Sequence, residues 1–137
     1  MSPVLVDSNV LLDLATRDPR WGEWSAEQLS RHAESSVLVI NPMIYAEVSI
    51  GYDRIELVEE VLSPDFLQRE DLPWEAAFLA GKCFVIYRRR GGARRSPLPD
   101  FYIGAHAAVR GYRLLTRDVI RYRTYFPKLE LIAPDIA

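Results

Sequence analysis

Pro3-Val4-Leu5-Val6-Asp7-Ser8-Asn9-Val10-Leu11-Leu12 is the stretch whose reading decides the fold. Its opening residues are apolar without alternation, so neither side of the run is suited to water, and the pattern predicts a strand buried on both faces in a parallel sheet. Asp7 closes the run, which brings a carboxylate out at a strand's carboxyl end, and a helix is expected to start near Asn9. Val37-Leu38-Val39-Ile40 reads the same way, as does Leu114-Leu115-Thr116-Arg117-Asp118, which ends in a second acid.

Helical patterns fill the gaps between these runs. Asn41-Pro42 combines a good N-cap with a proline at the first helical position, so the helix that follows carries Glu47 in its second turn. Leu98-Pro99-Asp100 repeats that start and sets Asp100 in a first turn, where free N–H groups and the helix dipole favour a carboxylate. Gly111 ends this helix. Ser25-Ala26-Glu27-Gln28 has capping-box spacing and is expected to open a helix through about Ala33. Ile55 to Leu62 is amphipathic, and Pro73 starts a longer helix in which Trp74, Ala77, Phe78, Gly81, Phe84 and Val85 recur at helical spacing, a stripe expected in the core or at a subunit interface. The alternation of the two patterns implies a parallel sheet with helices on both faces, in one domain spanning residues 1–137.

Ligands of open parallel sheets bind at the carboxyl ends of the strands, so Asp7, Glu47, Asp100 and Asp118 have a reason to meet there. Each acid has a plainer reading: Asp7 and Asp118 as helix caps, Glu47 as a solvated helix residue, Asp100 as a first-turn acid. Their convergence on one sheet edge favours a cation site. Cys83 stands alone and the histidines, His32 and His106, lie far apart, so zinc, copper and iron-sulfur centres are disfavoured. An all-oxygen set suits Mg²⁺ or Mn²⁺, and that chemistry is phosphodiester hydrolysis. Cys83 reads as a buried structural thiol and His106 as a hydrogen-bonded core histidine, while Trp21 and Trp24 lie in a loop before a helix and join no catalytic set.

Val6-Asp7-Ser8-Asn9-Val10-Leu11-Leu12, Tyr45-Ala46-Glu47-Val48, Leu98-Pro99-Asp100-Phe101-Tyr102-Ile103-Gly104-Ala105-His106-Ala107 and Leu114-Leu115-Thr116-Arg117-Asp118 together resemble the signature segments of PIN-domain nucleases and, more narrowly, VapC-type toxins. The resemblance runs nearly end to end and includes the tail Tyr125-Phe126-Pro127 and Leu129 to Pro134. It implies a PIN-like three-layer α/β/α fold with a central parallel sheet of about five strands. It further implies a metal-dependent endoribonuclease whose acidic quartet is Asp7, Glu47, Asp100 and Asp118, with Asn9 and Thr116 as polar neighbours; Ser8 is expected to join these two in positioning waters and carboxylates. The family also implies a cognate antitoxin and a toxin homodimer. In one departure, many relatives place a further acid soon after the fourth, whereas Val119-Ile120-Arg121 follows Asp118 here. The choice between one and two metal ions stays open, as do two other functions: a non-catalytic RNA- or protein-binding module, and a nuclease acting on DNA.

With 137 residues and 49% hydrophobic content, the chain can bury one sizeable core. It has no basic leader or run of membrane-spanning length, so a cytoplasmic protein is expected. The net charge of −2 hides a strong asymmetry. Residues 88–128 hold eleven basic residues against two acids, a balance of +9, and residues 1–87 hold six against fifteen, a balance of −9. The densest segment contains Arg88, Arg89, Arg90, Arg94 and Arg95 and leads to Asp100, so it is expected to be a flexible cationic arm that holds an RNA backbone. Its plainer reading is a solvated helix end, or a contact with an acidic protein partner.

Overall fold

In the computed structural model, which describes residues 2–134, the three apolar runs form the middle of a parallel sheet. β1 (Val4–Val6), β2 (Leu38–Ile40) and β4 (Arg113–Leu115) are its buried strands, and β3 (Gln68–Arg69) and β5 (Leu131–Ile132) are its edges. The order is β3-β2-β1-β4-β5, with Leu5 opposite both Val39 and Leu114. Every neighbouring pair is parallel. The unbroken apolar runs are thereby accounted for, since all three residues of β1 and of β2 are buried. Both edge strands are two residues long; β3 is exposed and polar, and the half-buried pair of β5 is too short to show a strand period.

Seven helices connect and cover the strands: α1 (Ser8–Thr16), α2 (Gly22–Ser35), α3 (Pro42–Ser49), α4 (Ile55–Val61), α5 (Trp74–Arg89), α6 (Pro99–Arg110) and α7 (Ile120–Tyr125). From β1 the chain steps to β2 and β3 on one side, then crosses to β4 and β5 on the other. Right-handed crossovers, the near-universal hand, put the helices of these two journeys on opposite faces and produce three α/β/α layers. The direction of travel switches between β1 and β4, so a crevice is expected outside their carboxyl ends.

Several helix ends follow local chemistry. Asn41 Oδ1 accepts from the Ile44 N–H at 2.9 Å and Pro42 occupies the first turn of α3. Gly111, at φ 69°, ends α6 in the left-handed region where glycine is unstrained. Gly104 allows α6 to approach the Phe126 ring so closely that a Cβ there would collide with it.

Three expectations need correction. Ser25 does not cap a helix: α2 already starts at Gly22, Trp24 lies inside it, and the buried Ser25 hydroxyl donates to Asp13 at 3.0 Å. The turn before α2 is set instead by Asp18, whose carboxylate accepts from the N–H groups of Arg20 and Trp21. On α5 the buried face is Ala76, Ala80 and Cys83, leaving Trp74 89% and Phe78 68% exposed. Small residues face inward because α5 packs closely along α6, so Trp74, Phe78 and Val85 turn out and the core alternative fails for them, while Phe84 packs partly buried against the core. The strand formed by the third run, β4, stops at Leu115, with Thr116 still buried beyond it, and Asp118 lies exposed in the following loop.

Candidate active site

Asp7 emerges where β1 meets β4, its N–H donating to the Leu115 carbonyl at 2.9 Å. It caps α1, with Oδ1 accepting from the Ser8 N–H at 2.8 Å, as its plainer reading expected. The side chain is only 2% exposed. Oδ2 accepts from the Thr116 hydroxyl at 2.9 Å and the Tyr122 phenol at 2.8 Å, with Asn9 Nδ2 at 3.4 Å. All of these donors are neutral. Burial pushes the Asp7 carboxyl up from an ordinary 3.8 to about 7, and the Asp100 and Glu47 charges push the same way, against the lowering effect of the two hydroxyls.

The remaining acids approach from three other elements. Glu47 on α3 accepts from the Ser8 hydroxyl at 2.9 Å, and Asp100 in the first turn of α6 accepts from Tyr122 at 3.4 Å. Burial raises the pKa of both, and nearby carboxylates add to the rise: Asp100 acts on Glu47, and Asp118 acts on Asp100. Asp118 is tied to the site through its backbone, its N–H donating to Thr116 Oγ1 at 3.1 Å. It does not cap α7, which starts at Ile120 without a side-chain cap. Ser8, Asn9 and Thr116 thus stand among the acids, and Asn9 Nδ2 also reaches Thr116 at 3.1 Å.

Among the described residues, no three His, Cys, Asp or Glu side chains form a ready-made metal cage. The donor set nevertheless suits a hard cation that keeps several waters and takes a few carboxylates. A buried carboxyl with a raised pKa, other acids acting on it and only neutral donors around it is what such an ion would relieve.

Two helices carrying site acids are joined by a buried network that the sequence reading missed in part. With Asn41 Oδ1 engaged by Ile44, its Nδ2 donates to His106 Nδ1 at 2.9 Å, which leaves His106 Nε2–H to donate to Glu70 at 3.0 Å. His106 is the hydrogen-bonded core histidine expected. Glu70 also accepts from Tyr112 at 2.8 Å; burial pushes its carboxyl up, but the hydrogen bonds from His106 and Tyr112 together with nearby positive charge, Arg110 included, lower its pKa on balance. Tyr122 was likewise missed. Its signal was the spacing Val119, Tyr122, Phe126, which turns one side of a short helix inward.

The basic residues divide. Arg117, next to Asp118 in the chain, pairs with Asp13 through two contacts at 2.7 and 3.0 Å. Arg88 to Arg95 form a closed turn: Arg88 Nη1 donates to the Gly92 and Arg94 carbonyls at 3.2 and 3.0 Å. Arg89, Arg90, Arg94 and Arg95 are exposed, with the Arg90 guanidinium 5.6 Å from the Tyr125 ring centre. No helix among the described residues is long and apolar enough to cross a membrane.

Solved structures share the architecture. VapBC2 from Rickettsia felis, bound to a promoter DNA fragment, matches at TM-score 0.73 and 18% identity over 96% of this chain and 98% of that one. DNA-bound VapBC from Salmonella typhimurium matches at 0.71 and 19%, over 97% and 98%. A toxin-antitoxin complex from Klebsiella pneumoniae matches at 0.60 and 19%, over 87% and 89%. At these identities the likeness is one of fold. Comparison with curated proteins found no match. The PIN domain family model matches residues 4–127, nearly the whole described chain, and the chain belongs to the PIN-domain family.

Proposed function

We propose that this protein is a divalent-metal-dependent endoribonuclease, the toxin of a toxin-antitoxin pair. The observation that carries this reading is Asp7: a carboxylate buried at the switch point of a parallel sheet, raised to about 7, with Asp100 and Glu47 acting on it and only neutral donors around it. Asp7, Asp100 and Asp118 would hold Mg²⁺ or Mn²⁺ directly or through water, and Glu47 would complete the shell or orient the attacking water. When bound, the ion supplies an activated water and neutralises charge on the leaving oxygen. Ser8 holds Glu47, while Thr116 and Asn9 hold Asp7, so the second layer orients the acids. The exposed guanidinium groups of Arg89, Arg90, Arg94 and Arg95 suit phosphate recognition, whereas Arg88 shapes the turn that presents them.

RNA is the proposed substrate because the basic segment leads directly into the helix that carries Asp100. The fold's likeness to a toxin-antitoxin complex supports an antitoxin partner, and the exposed Trp74 and Phe78 support a homodimer. A cytoplasmic location follows from that role. The test is cleavage of single-stranded RNA by the purified chain with Mn²⁺ or Mg²⁺, blocked by EDTA and by Asp7→Asn. Cleavage that resists both would end the metal mechanism. Coexpression with the neighbouring gene tests the toxin assignment: relief of growth arrest supports it, and harmless expression of the chain alone removes it.

A further inference from the structure

We infer that Arg121 is a phosphodiester-binding residue of the site and serves in place of a second cation. The inference rests on the nuclease reading above. Among the described residues, Arg121 makes the only ion pair with any of the four acids, its Nη1 lying 3.5 Å from Asp100 Oδ2. Other nearby guanidinium groups are committed elsewhere: Arg117 to Asp13, Arg88 to the carbonyls of its own turn. Arg121 is held loosely, by one long contact, with 42% of its side chain exposed. A weak, half-solvated pair is easily exchanged for a stronger one.

The surroundings indicate what it would be exchanged for. Arg121 and Asp118 line a cleft of about 320 Å³ walled by Tyr87 and Tyr125. Four other surface hollows reach none of the acids. The Arg90 guanidinium sits over Tyr125, so two cations border the mouth in which Asp118 stands. A phosphodiester lying across Asp100 and Asp118 would bring a non-bridging oxygen to the Arg121 N–H groups, whose fork matches phosphate geometry. The sequence supplies no further acid between Asp118 and Glu130, so α7 offers a guanidinium and no additional carboxylate at this side of the crevice. Asp7, Asp100 and Asp118 would hold one divalent ion, and Arg121 would supply the further positive charge called for by the second negative charge that develops on the phosphoryl group in the transition state.

The test combines Mn²⁺ titration followed by electron paramagnetic resonance, anisotropy of a labelled single-stranded RNA in EDTA, and single-turnover cleavage. The wild-type chain should bind one Mn²⁺. Arg121→Ala should bind one more tightly, because Asp100 loses its competing cation, while its RNA salt slope drops by about one and cleavage slows roughly 100-fold. Arg121→Lys should recover the salt slope and part of the rate, and Arg121→Glu should admit a second Mn²⁺. Two Mn²⁺ in the wild type would overturn the inference. So would an Arg121→Ala chain with unchanged salt slope and rate, in which case cleavage by the wild type still upholds the nuclease reading. Loss of antitoxin binding with RNA binding intact would reassign the cleft to a protein contact and overturn it equally. A wild-type chain that neither binds nor cuts RNA ends the nuclease reading and this inference together.

Discussion

Asp7 and Asp13 stand six residues apart at the two ends of one turn-and-a-half of chain, and both are 2% exposed. Asp13 is gripped by Arg117 at 2.7 and 3.0 Å and by the Ser25 hydroxyl at 3.0 Å. Asp7 has five neutral donor atoms and no cation, and other carboxylates act on it. Burial is the same, yet one acid is complete and the other lacks a counter-charge. A buried acid with a guanidinium ties α1, α2 and the loop after β4 together, while the one without is the carboxylate proposed above to hold a cation.

The sharpest way to break this contrast is Asp7→Asn, which keeps the shape and removes the charge. Cleavage should fall on the order of 10³-fold or more, as when an essential member of a catalytic unit is lost. Circular dichroism should show an unchanged fold. Substantial turnover by the folded variant would make Asp7 a second Asp13.

Stability against pH separates the two acids next. Between an ordinary 3.8 and about 7, the folded chain holds the Asp7 proton more tightly than the unfolded chain does. Its effect therefore favours folding most below about pH 4, is lost as pH rises through about 7, and is level above that. The span is on the order of 4 kcal/mol. Urea midpoints from pH 4 to 8 should fall for the wild type and fall less for Asp7→Asn, and saturating Mn²⁺ should recover much of the loss near pH 8. A flat wild-type profile would mean that Asp7 is ionised without strain.

Asp13→Asn should do the reverse of Asp7→Asn. Breaking the pair leaves Arg117 without its carboxylate and should cost about 3 kcal/mol, with turnover per folded molecule preserved. Urea unfolding beside single-turnover rates checks both halves of that statement. A collapse in rate without loss of stability would place Asp13 in the site.

Tyr122→Phe sharpens the comparison from the donor side. The phenol reaches Asp7 at 2.8 Å and Asp100 at 3.4 Å, so its loss should weaken Mn²⁺ binding by roughly 10-fold. Since the Tyr122 hydrogen bond lowers the Asp7 pKa, the descent in stability should move to higher pH in this variant. An unmoved pH profile would reduce Tyr122 to core packing.

The smallest effect is expected at the arm. Arg94→Ala with Arg95→Ala should lower the RNA salt slope by about one per lost phosphate contact, with cutting at saturating RNA affected less than binding. An unchanged slope would assign these residues to solvent or to a protein partner.

Much of this was legible in the chain itself. Buried parallel strands need apolar residues on both faces, so β1, β2 and β4 announced themselves, and Asn41-Pro42 and Gly111 marked helix ends by strictly local chemistry. The edge strands did not, because a two-residue ladder such as Gln68–Arg69 depends on its neighbour's backbone and not on its own side chains. Ser25 misled for a related reason: its hydroxyl had a tertiary partner in Asp13 that overrode a local capping pattern.

The sequence by itself determined that the four acids end apolar runs or lie on the helices that follow them, because that placement depends on short-range periodicity and caps. Only the tertiary structure decided which acids lack a counter-charge. Arg117 lies one residue from Asp118 in the chain yet pairs with Asp13, and Tyr122 bridges Asp7 and Asp100 across 115 and 22 residues. Charge and hydrogen-bond partners act through a few ångströms of space, and that distance is set by how α1, α6 and α7 pack over the switch point between β1 and β4.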